Sequence, residues 1–384
     1  MLVAGEASGD VLGSRLASVL RARLGDDGVR FVGVGGEAMA REGVKSPFDI
    51  AETSVLGFLE GLMALPRIVK RANDTAAIAA GEHPDIAVLI DSWGFTLRVA
   101  QRLRRADPSL PLIKYVGPQV WATRPGRAKT LAKTVDRLLT IHTFDAPYFE
   151  RAGLATTFVG ATALSLDLSA ADPARLRRHV DARDDQVIVL VLPGSRPAEI
   201  ERLARPFAEA LRRLAAERPD RCFVLPAAQT VAAQVRTVDW GAPVHIVEGD
   251  QLKFDAMKAA TVALACSGTV TSELGIAGCP FVVAYKTGVV TYVAARLIYL
   301  QKFITLINIA AGEAVAPEFI QQDCTGEALA HALSERLDDP ELRARQVAKQ
   351  DATLAKMGRG GPDPAERAAD VVLEMLQARG PLPA

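Results

Sequence analysis

The feature that most constrains this chain is an alternation. Short, β-branched apolar runs, each too brief for a helix, recur between longer segments with helical spacing. A chain of this kind folds as a parallel sheet with helices on both faces, because parallel strands need long crossovers and those crossovers cover the sheet. In the first half the runs fall at 2–4, 30–34, 86–90, 112–116, 138–142 and 157–159. In the second half they fall at 187–192, 222–225, 244–247, 262–265 and 281–284. The two series are separated by 164–185, which is polar, rich in Asp and Arg, and without a strand run. It is expected to be a linker carrying one amphipathic helix. The pattern predicts two Rossmann-like, doubly wound α/β domains, over 1–165 and 183–350, with a cleft between them. A helical tail over 351–384 is expected to cross back to the first lobe or to a partner chain. The length of 384 residues suits two domains of ordinary size. Ligands of such sheets sit beyond the carboxyl ends of the strands, so the strand-end loops are where chemistry belongs.

Composition narrows the function classes. Lys plus Arg and Asp plus Glu number 45 each, so no global field draws the chain onto nucleic acid. One stretch is locally basic: Lys114, Arg124, Arg127, Lys129, Lys133 and Arg137 face the single acid Asp136. It reads either as a solvated helix face or as a cationic surface for phosphates or anionic lipid. The four cysteines (Cys222, Cys266, Cys279 and Cys324) form no CxxC pair, and with the five histidines they offer no metal-ligand spacing. A reducing cytoplasm, no metal and no cofactor are expected. No charged and apolar leader precedes the first strand, and no run reaches about 18 apolar residues, the length of a membrane span. The three-residue first strand predicts a natural start a few residues upstream.

Four strand-end loops carry candidate chemistry. Gly5-Glu6-Ala7-Ser8-Gly9-Asp10 joins the first strand to a helix. Its glycines allow close backbone approach, and N–H groups at the helix start suit an anion or sugar hydroxyls. Asp10 reads alternatively as a helix cap. Ile90-Asp91 closes an apolar strand and presents a carboxylate suited to general-base work, or to capping the helix near Trp93. Leu192-Pro193-Gly194-Ser195-Arg196, with Glu199 one helical turn on, offers N–H and O–H donors and a guanidinium fork for phosphate. Ser267-Gly268-Thr269 lies at a helix start, and Glu273, one turn later, is spaced to accept from two ribose hydroxyls. The last two loops together indicate a nucleoside-diphosphate site.

At these residues the sequence resembles the lipid-A-disaccharide synthases, a family of GT-B glycosyltransferases. The resemblance runs over nearly the whole chain. It is carried by Val3-Ala4-Gly5-Glu6-Ala7-Ser8-Gly9-Asp10, Phe31-Val32-Gly33-Val34-Gly35-Gly36, Ile90-Asp91, Val120-Trp121-Ala122, the Pro-Gly-Ser-Arg loop, Ser267-Gly268-Thr269 with Glu273, Val282-Val283-Ala284-Tyr285-Lys286 and Pro317-Glu318-Phe319-Ile320-Gln321. It implies inverting transfer of 2,3-diacylglucosamine from UDP-2,3-diacylglucosamine to 2,3-diacylglucosamine 1-phosphate, giving a β-1,6 disaccharide and UDP without a metal. It further implies Asp91 as the base, Arg196 on the diphosphate, Glu273 on the ribose, and Glu6 and Asn308 beside the substrates. Ala161, Trp93, Thr123, Thr143, Asp145 and Ile307 depart from the residues usual in the family.

Acyl chains require apolar contact, for which 55–59 with 62–65, and 289–309, are candidates, as lipid-facing patches or as core helices. A site on the cytoplasmic face of the inner membrane follows from the resemblance. A homodimer and a monomer both fit. Two other readings use the same nucleotide loops: a UDP-sugar epimerase, and a nucleotide-sugar binding protein without catalysis.

Overall fold

The structure, a computed structural model, describes residues 1–53 and 58–378. The chain divides into two units, Met1–Thr162 with Gly360–Ala384, and Ala163–Arg359. Each holds a six-stranded parallel sheet. The first contains β1 (Leu2–Ala4), β2 (Gly33–Val34), β3 (Ala87–Ile90), β4 (Leu112–Tyr115), β5 (Arg137–Thr140) and β6 (Ala155–Phe158), in the order β2-β1-β3-β4-β5-β6. The second contains β7 (Ile188–Leu192), β8 (Cys222–Ala227), β9 (Val244–Glu248), β10 (Val262–Cys266), β11 (Phe281–Tyr285) and β12 (Glu318–Ile320), in the order β12-β11-β10-β7-β8-β9.

All eleven apolar runs of the sequence overlap strands, and the reason is visible in β7 and β10, where every residue is buried. A strand covered on both faces has no use for polar alternation. Each fully buried Val, Leu or Ile contributes about 1.5–3 kcal/mol through lost water contact. Register follows from that demand: Val262, Ala263, Leu264 and Ala265 lie opposite Val189, Leu190, Val191 and Leu192. β12 escapes a reading by apolar runs because it is only Glu-Phe-Ile, half-buried throughout.

In the first unit the sheet separates two cores. One packs against the helices Phe58–Glu82 and Trp93–Ala106, through Ile68, Ala72, Phe95, Val99 and Leu103. The other brings Leu16 and Leu20 of the helix Ala7–Leu24 together with Ala368, Ala369, Val371 and Val372 of the helix Pro364–Gln377. The final described helix thus belongs to the first unit, although it follows the second in sequence. Of the apolar stretch 55–59, residues 55–57 lie outside the described residues; 379–384 do too.

Residues 164–185 are not a free linker. Their helix, Pro173–His179, is packed into the second unit by Leu176, which is fully buried, and by Arg175, whose Nε lies 2.6 Å from the buried carboxylate of Asp255. Asp255 also accepts from the Asp172 N–H at 2.7 Å. Part of the polar composition that suggested a linker goes into this ion pair, while Arg178, Arg183 and Asp185 remain at the surface.

The strand orders reverse between β1 and β3 in the first sheet, and between β7 and β10 in the second. These are the positions where open α/β sheets bind ligands. All four chemistry-bearing loops fall there.

Candidate functional site

In the first unit the β1 and β3 ends bring Glu6, Ser8 and Asp91 together. The Ser8 hydroxyl donates to Asp91 Oδ2 at 2.7 Å. The strand ladder runs one step beyond β3, with the Asp91 N–H donating to the Tyr115 carbonyl at 2.8 Å. The chain then turns through two left-handed residues, Asp91 at φ +48° and Ser92 at φ +39°. Neither is glycine, so the turn is strained and must be held by its surroundings. Thr96 Oγ1 lies 2.7 Å from the Asp91 carbonyl and 2.9 Å from that of Ser92. The Asp91 side chain makes no cap to the helix beginning at Trp93. Gly5 permits the close approach: a Cβ there would lie 2.7 Å from Phe95 and 2.9 Å from the Ser92 hydroxyl.

Glu6 is half-buried, and burial raises its carboxyl above the ordinary range, helped by the neighbouring Asp91 charge. A hydrogen bond with Ser92 and the Lys114 cation oppose that rise. Lys114 itself corrects the expectation of a basic surface. It is a buried residue of β4, its Nζ donating to the Asp91 carbonyl oxygen and, at 2.8 Å, to Thr96 Oγ1. Burial lowers its ammonium to about 7, against the pull of Asp91 and Glu6. The signal was present in the sequence: a lysine inside an apolar parallel strand has no route to water. Elsewhere in the basic run, Arg127 lies over the Trp93 ring at 5.1 Å, and Arg137 pairs with Glu374 at 3.3 Å.

Two other readings of the first loop are corrected. Asp10 is a cap, but for the helix Glu37–Arg41 rather than its own. Its carboxylate accepts from the N–H groups of Gly36, Ala38 and Met39 at 2.8, 2.9 and 3.0 Å. Gly5 and Gly9 are buried, close to Phe95 and Ser92 and to Ala4 and the Ile90 carbonyl respectively, where a side chain would not fit easily. Beyond β5, Phe144 stacks on His142 at 5.0 Å and meets Trp121 edge-on at 5.1 Å. Burial there pushes Asp145 up to about 7 and His142 down to about 4.

In the second unit the ends of β7, β8 and β10 frame a pocket of about 730 Å³, a size usual for a small-molecule site. Gly194, Ser195, Arg196, Glu199, Lys253, Ser267, Gly268, Thr269 and Glu273 are among its lining residues. The Arg196 side chain is 78% exposed and free to swing, with Nη1 at 3.2 Å from Glu199 Oε1. Glu199 caps its own helix by accepting from the Ser195 and Arg196 N–H groups at 2.9 and 3.2 Å. Those two N–H groups, expected to meet phosphate, are thus occupied within the loop. Thr269 stands at the N-cap position of the helix Val270–Ala277 without a side-chain cap, and the N–H groups of Thr271 and Ser272 already donate to the Gly268 and Thr269 carbonyls at 3.2 and 3.0 Å. Glu273 sits on the same helix, 3.2 Å from Lys253 Nζ, and Lys253 also meets Asp250 at 3.4 Å. Lys253 escaped the sequence reading. It lies one helix away from the recognisable loops, and nothing in its neighbours marks it.

Two expected site residues lie apart from the pocket lining. Pro193 is buried at the end of β7 and is not part of the lining. Asn308 is fully buried and saturated: Nδ2 donates to Ala316 O and Glu318 Oε1, both at 2.8 Å, and Oδ1 accepts from the Val315 and Ala316 N–H groups at 2.9 and 3.0 Å. An amide has two donor hydrogens and two lone pairs, so none is left for a substrate.

Beyond the pocket, the helix Val289–Ile298 shows water an apolar stripe. Val289, Val293 and Leu297 follow one another at four-residue spacing, with Leu297 82% exposed, and Ile298 and Leu300 extend the stripe. Among the described residues no helix is long and apolar enough to cross a membrane.

The lipid-A-disaccharide synthetase family model matches residues 1–372. The chain is 42% identical over 380 residues to the lipid-A-disaccharide synthase of Paramagnetospirillum magneticum, covering 98% of this chain and 97% of that one. It is 43% identical over 387 residues to the Nitrobacter hamburgensis enzyme of the same name, covering 99% and 96%. Among solved structures it resembles a UDP-GlcNAc 2-epimerase from Neisseria meningitidis bound to UDP-GlcNAc, with TM-score 0.56, 11% identity and 98% of each chain covered. A glycosyltransferase from Rickettsia africae gives TM-score 0.56 and 11% identity, over 98% of this chain and 97% of that one. At such identities the likeness concerns the fold, which is the GT-B fold expected from the sequence.

Proposed function

This chain belongs to the lipid-A-disaccharide synthase family, and from that premise we propose that it moves 2,3-diacylglucosamine from UDP onto the 6-hydroxyl of 2,3-diacylglucosamine 1-phosphate, inverting the anomeric carbon. That it is a glycosyltransferase of lipid A synthesis follows from the family; the acyl sugars, the stereochemistry and the residue roles are our reading.

Asp91 takes the acceptor's hydroxyl proton as the O6–C1 bond forms and the bond from C1 to the diphosphate oxygen breaks. Ser8, bonded to Oδ2, fixes the carboxylate's rotation. The leaving UDP carries the electron pair away. Arg196 and the positive dipole end of the helix Val270–Ala277 stabilise the charge that develops on it. Lys253 is a second cation in that pocket, while Glu273 holds the ribose. The observation that carries the reading is Asp91 itself. A half-buried carboxylate, held in a strained turn at a strand-order reversal, is aimed by its fold rather than by chance.

The stripe Val289-Val293-Leu297, bordered by Arg296 and Lys302, fits an acyl-bearing membrane surface on the cytoplasmic side, where anionic head groups meet the cations. Transfer of labelled UDP-2,3-diacylglucosamine in detergent tests the chemistry. Native protein should form the disaccharide, and Asp91→Asn should bind UDP without forming it. UDP binding with no disaccharide from the native chain would sink the assignment and favour a binding protein; UDP-sugar turnover without an acceptor would favour an epimerase.

A further inference from the structure

We infer that Lys114 is a positioning residue for the transfer: its buried ammonium pins the carbonyl of the strained Asp91–Ser92 turn and supplies the counter-charge for the Asp91 and Glu6 carboxylates. The inference rests on the reading of Asp91 as the base.

The argument begins with burial. Lys114 is 2% exposed, on the central strand β4, with apolar neighbours Ile113 and Tyr115 in its own strand. A lysine there gains nothing as packing that a leucine would not give more cheaply, since its charge must be desolvated. Its position therefore points to what the ammonium touches. One contact is the Asp91 main-chain oxygen, at the residue where the chain leaves β3 and enters the left-handed turn. The other is Thr96 Oγ1, which serves the same carbonyl from the helix behind. Lys114 and Thr96 thus fix the turn from below while Ser8 fixes the carboxylate from the other side. Two consecutive left-handed residues relax unless something over-determines them, and these bonds are what does so.

Charge gives the second half. The ionisable groups that act on Lys114 are Asp91, from the β3 end, and Glu6, from the β1 end; the neighbour from the helix Trp93–Ala106 is the hydroxyl of Thr96. Glu6 is raised by burial and by Asp91, and Lys114 holds it down. Below about pH 7, where Lys114 keeps its proton, it holds the Glu6 carboxyl down; without that cation Glu6 would keep its own proton to higher pH and change the charge beside the base.

The experiment is the pH dependence of kcat and KM for the native chain, Lys114→Met, Lys114→Arg and Asp91→Asn. Lys114→Met should lower kcat by about 10²-fold, the scale on which a misaimed group costs an enzyme, with KM for the UDP-sugar nearly unchanged. Its acid limb should move to higher pH, whereas Lys114→Arg should recover much of the rate and the native limb. Unchanged UDP affinity and circular dichroism would show that the variant is folded; should Lys114→Met fail to fold, Lys114→Gln takes its place with the same readouts. A neutral variant with native kcat, or one that is slow with an unmoved acid limb, would overturn the inference. Should Asp91→Asn be inactive while the Lys114 variants behave as native, Lys114 alone is misread. Should Asp91→Asn retain transfer, the base reading fails and this inference falls with it.

Discussion

At the strand ends of the first sheet, Asp91, Ser92 and Val116 have left-handed backbones, with φ at +48°, +39° and +67°. At the ends of β7 and β9 in the second sheet positive φ belongs to glycines, Gly194 at +120° and Gly249 at +87°, while Gln321 after β12, away from the nucleotide loops, takes +54°. The first arrangement costs on the order of 1–3 kcal/mol per residue, and it is held by part-buried bonds from Lys114 and Thr96 and an exposed one from Ser8. The second costs little, because glycine enters that region freely, and it leaves an open loop lined by exposed Arg196 and a helix start. A reactive carboxylate has to be aimed at one atom. A diphosphate is broad and multiply charged, and cations on exposed or half-exposed side chains such as Arg196 and Lys253 suffice to catch it. The comparison predicts that damage to the first site lowers rate, while damage to the second lowers affinity.

The largest test of that division is Asp91→Asn, which keeps size and removes the base. It should lower kcat by about 10²–10⁴-fold while the Kd for UDP, measured by calorimetry, stays native. A parallel loss of UDP affinity would erase the division. Next comes Asn308→Ala, which removes four buried hydrogen bonds and leaves the Val315 and Ala316 groups unpaired. It should cost roughly 3 kcal/mol in a denaturant titration, with UDP affinity unchanged in the folded fraction. A selective loss of UDP binding would restore Asn308 to the site. Arg196→Ala should weaken UDP by about tenfold or more, equivalent to 1.5–3 kcal/mol for a charge-assisted bond, and should do so less at high salt.

The smallest effect concerns Asp145, whose carboxyl is held up at about 7 by burial beside His142 and Trp121. In the unfolded chain an aspartate releases its proton near pH 4, so between about pH 4 and 7 the folded state binds more protons and loses stability as pH rises. Asp145→Asn keeps an acceptor without the charge. It should raise Tm at pH 8, by roughly 2–4 °C for each kcal/mol relieved, and leave it unchanged at pH 4. An equal effect at both values would show that Asp145 matters by shape alone.

How much of this was legible before the coordinates depends on what each residue spends its side chain on. Parallel strands declare themselves, since β7 and β10 are apolar at every position. Asp91 and the loops ending β7 and β10 declare themselves too, as polar residues that abruptly close such runs. Asp10 and Asn308 do not, and Lys114 declares only that it is buried and not what it serves, because their partners are far along the chain or are main-chain groups. Asp10 caps a helix 27 residues on, counted from residue 10 to residue 37, and Lys114 serves a carbonyl 23 residues earlier. A one-dimensional pattern marks a residue as polar. It does not say whether the polarity faces a ligand or the protein's own backbone.

The helix Pro364–Gln377 has a consequence for biosynthesis. Its Ala368, Ala369 and Val372 complete the face of the first sheet that Leu16 and Leu20 begin, yet they are synthesised after the whole second unit. After residue 162 emerges, the first sheet waits for about two hundred more residues, on the order of 10–40 s at usual elongation rates. During that interval the contiguous second unit is free to fold, while Leu16, Leu20 and Ile113 stand uncovered. The nascent chain is therefore most exposed to aggregation and to holding chaperones while its N-terminal half is already made, and emergence of the helix Pro364–Gln377 is what ends that exposure.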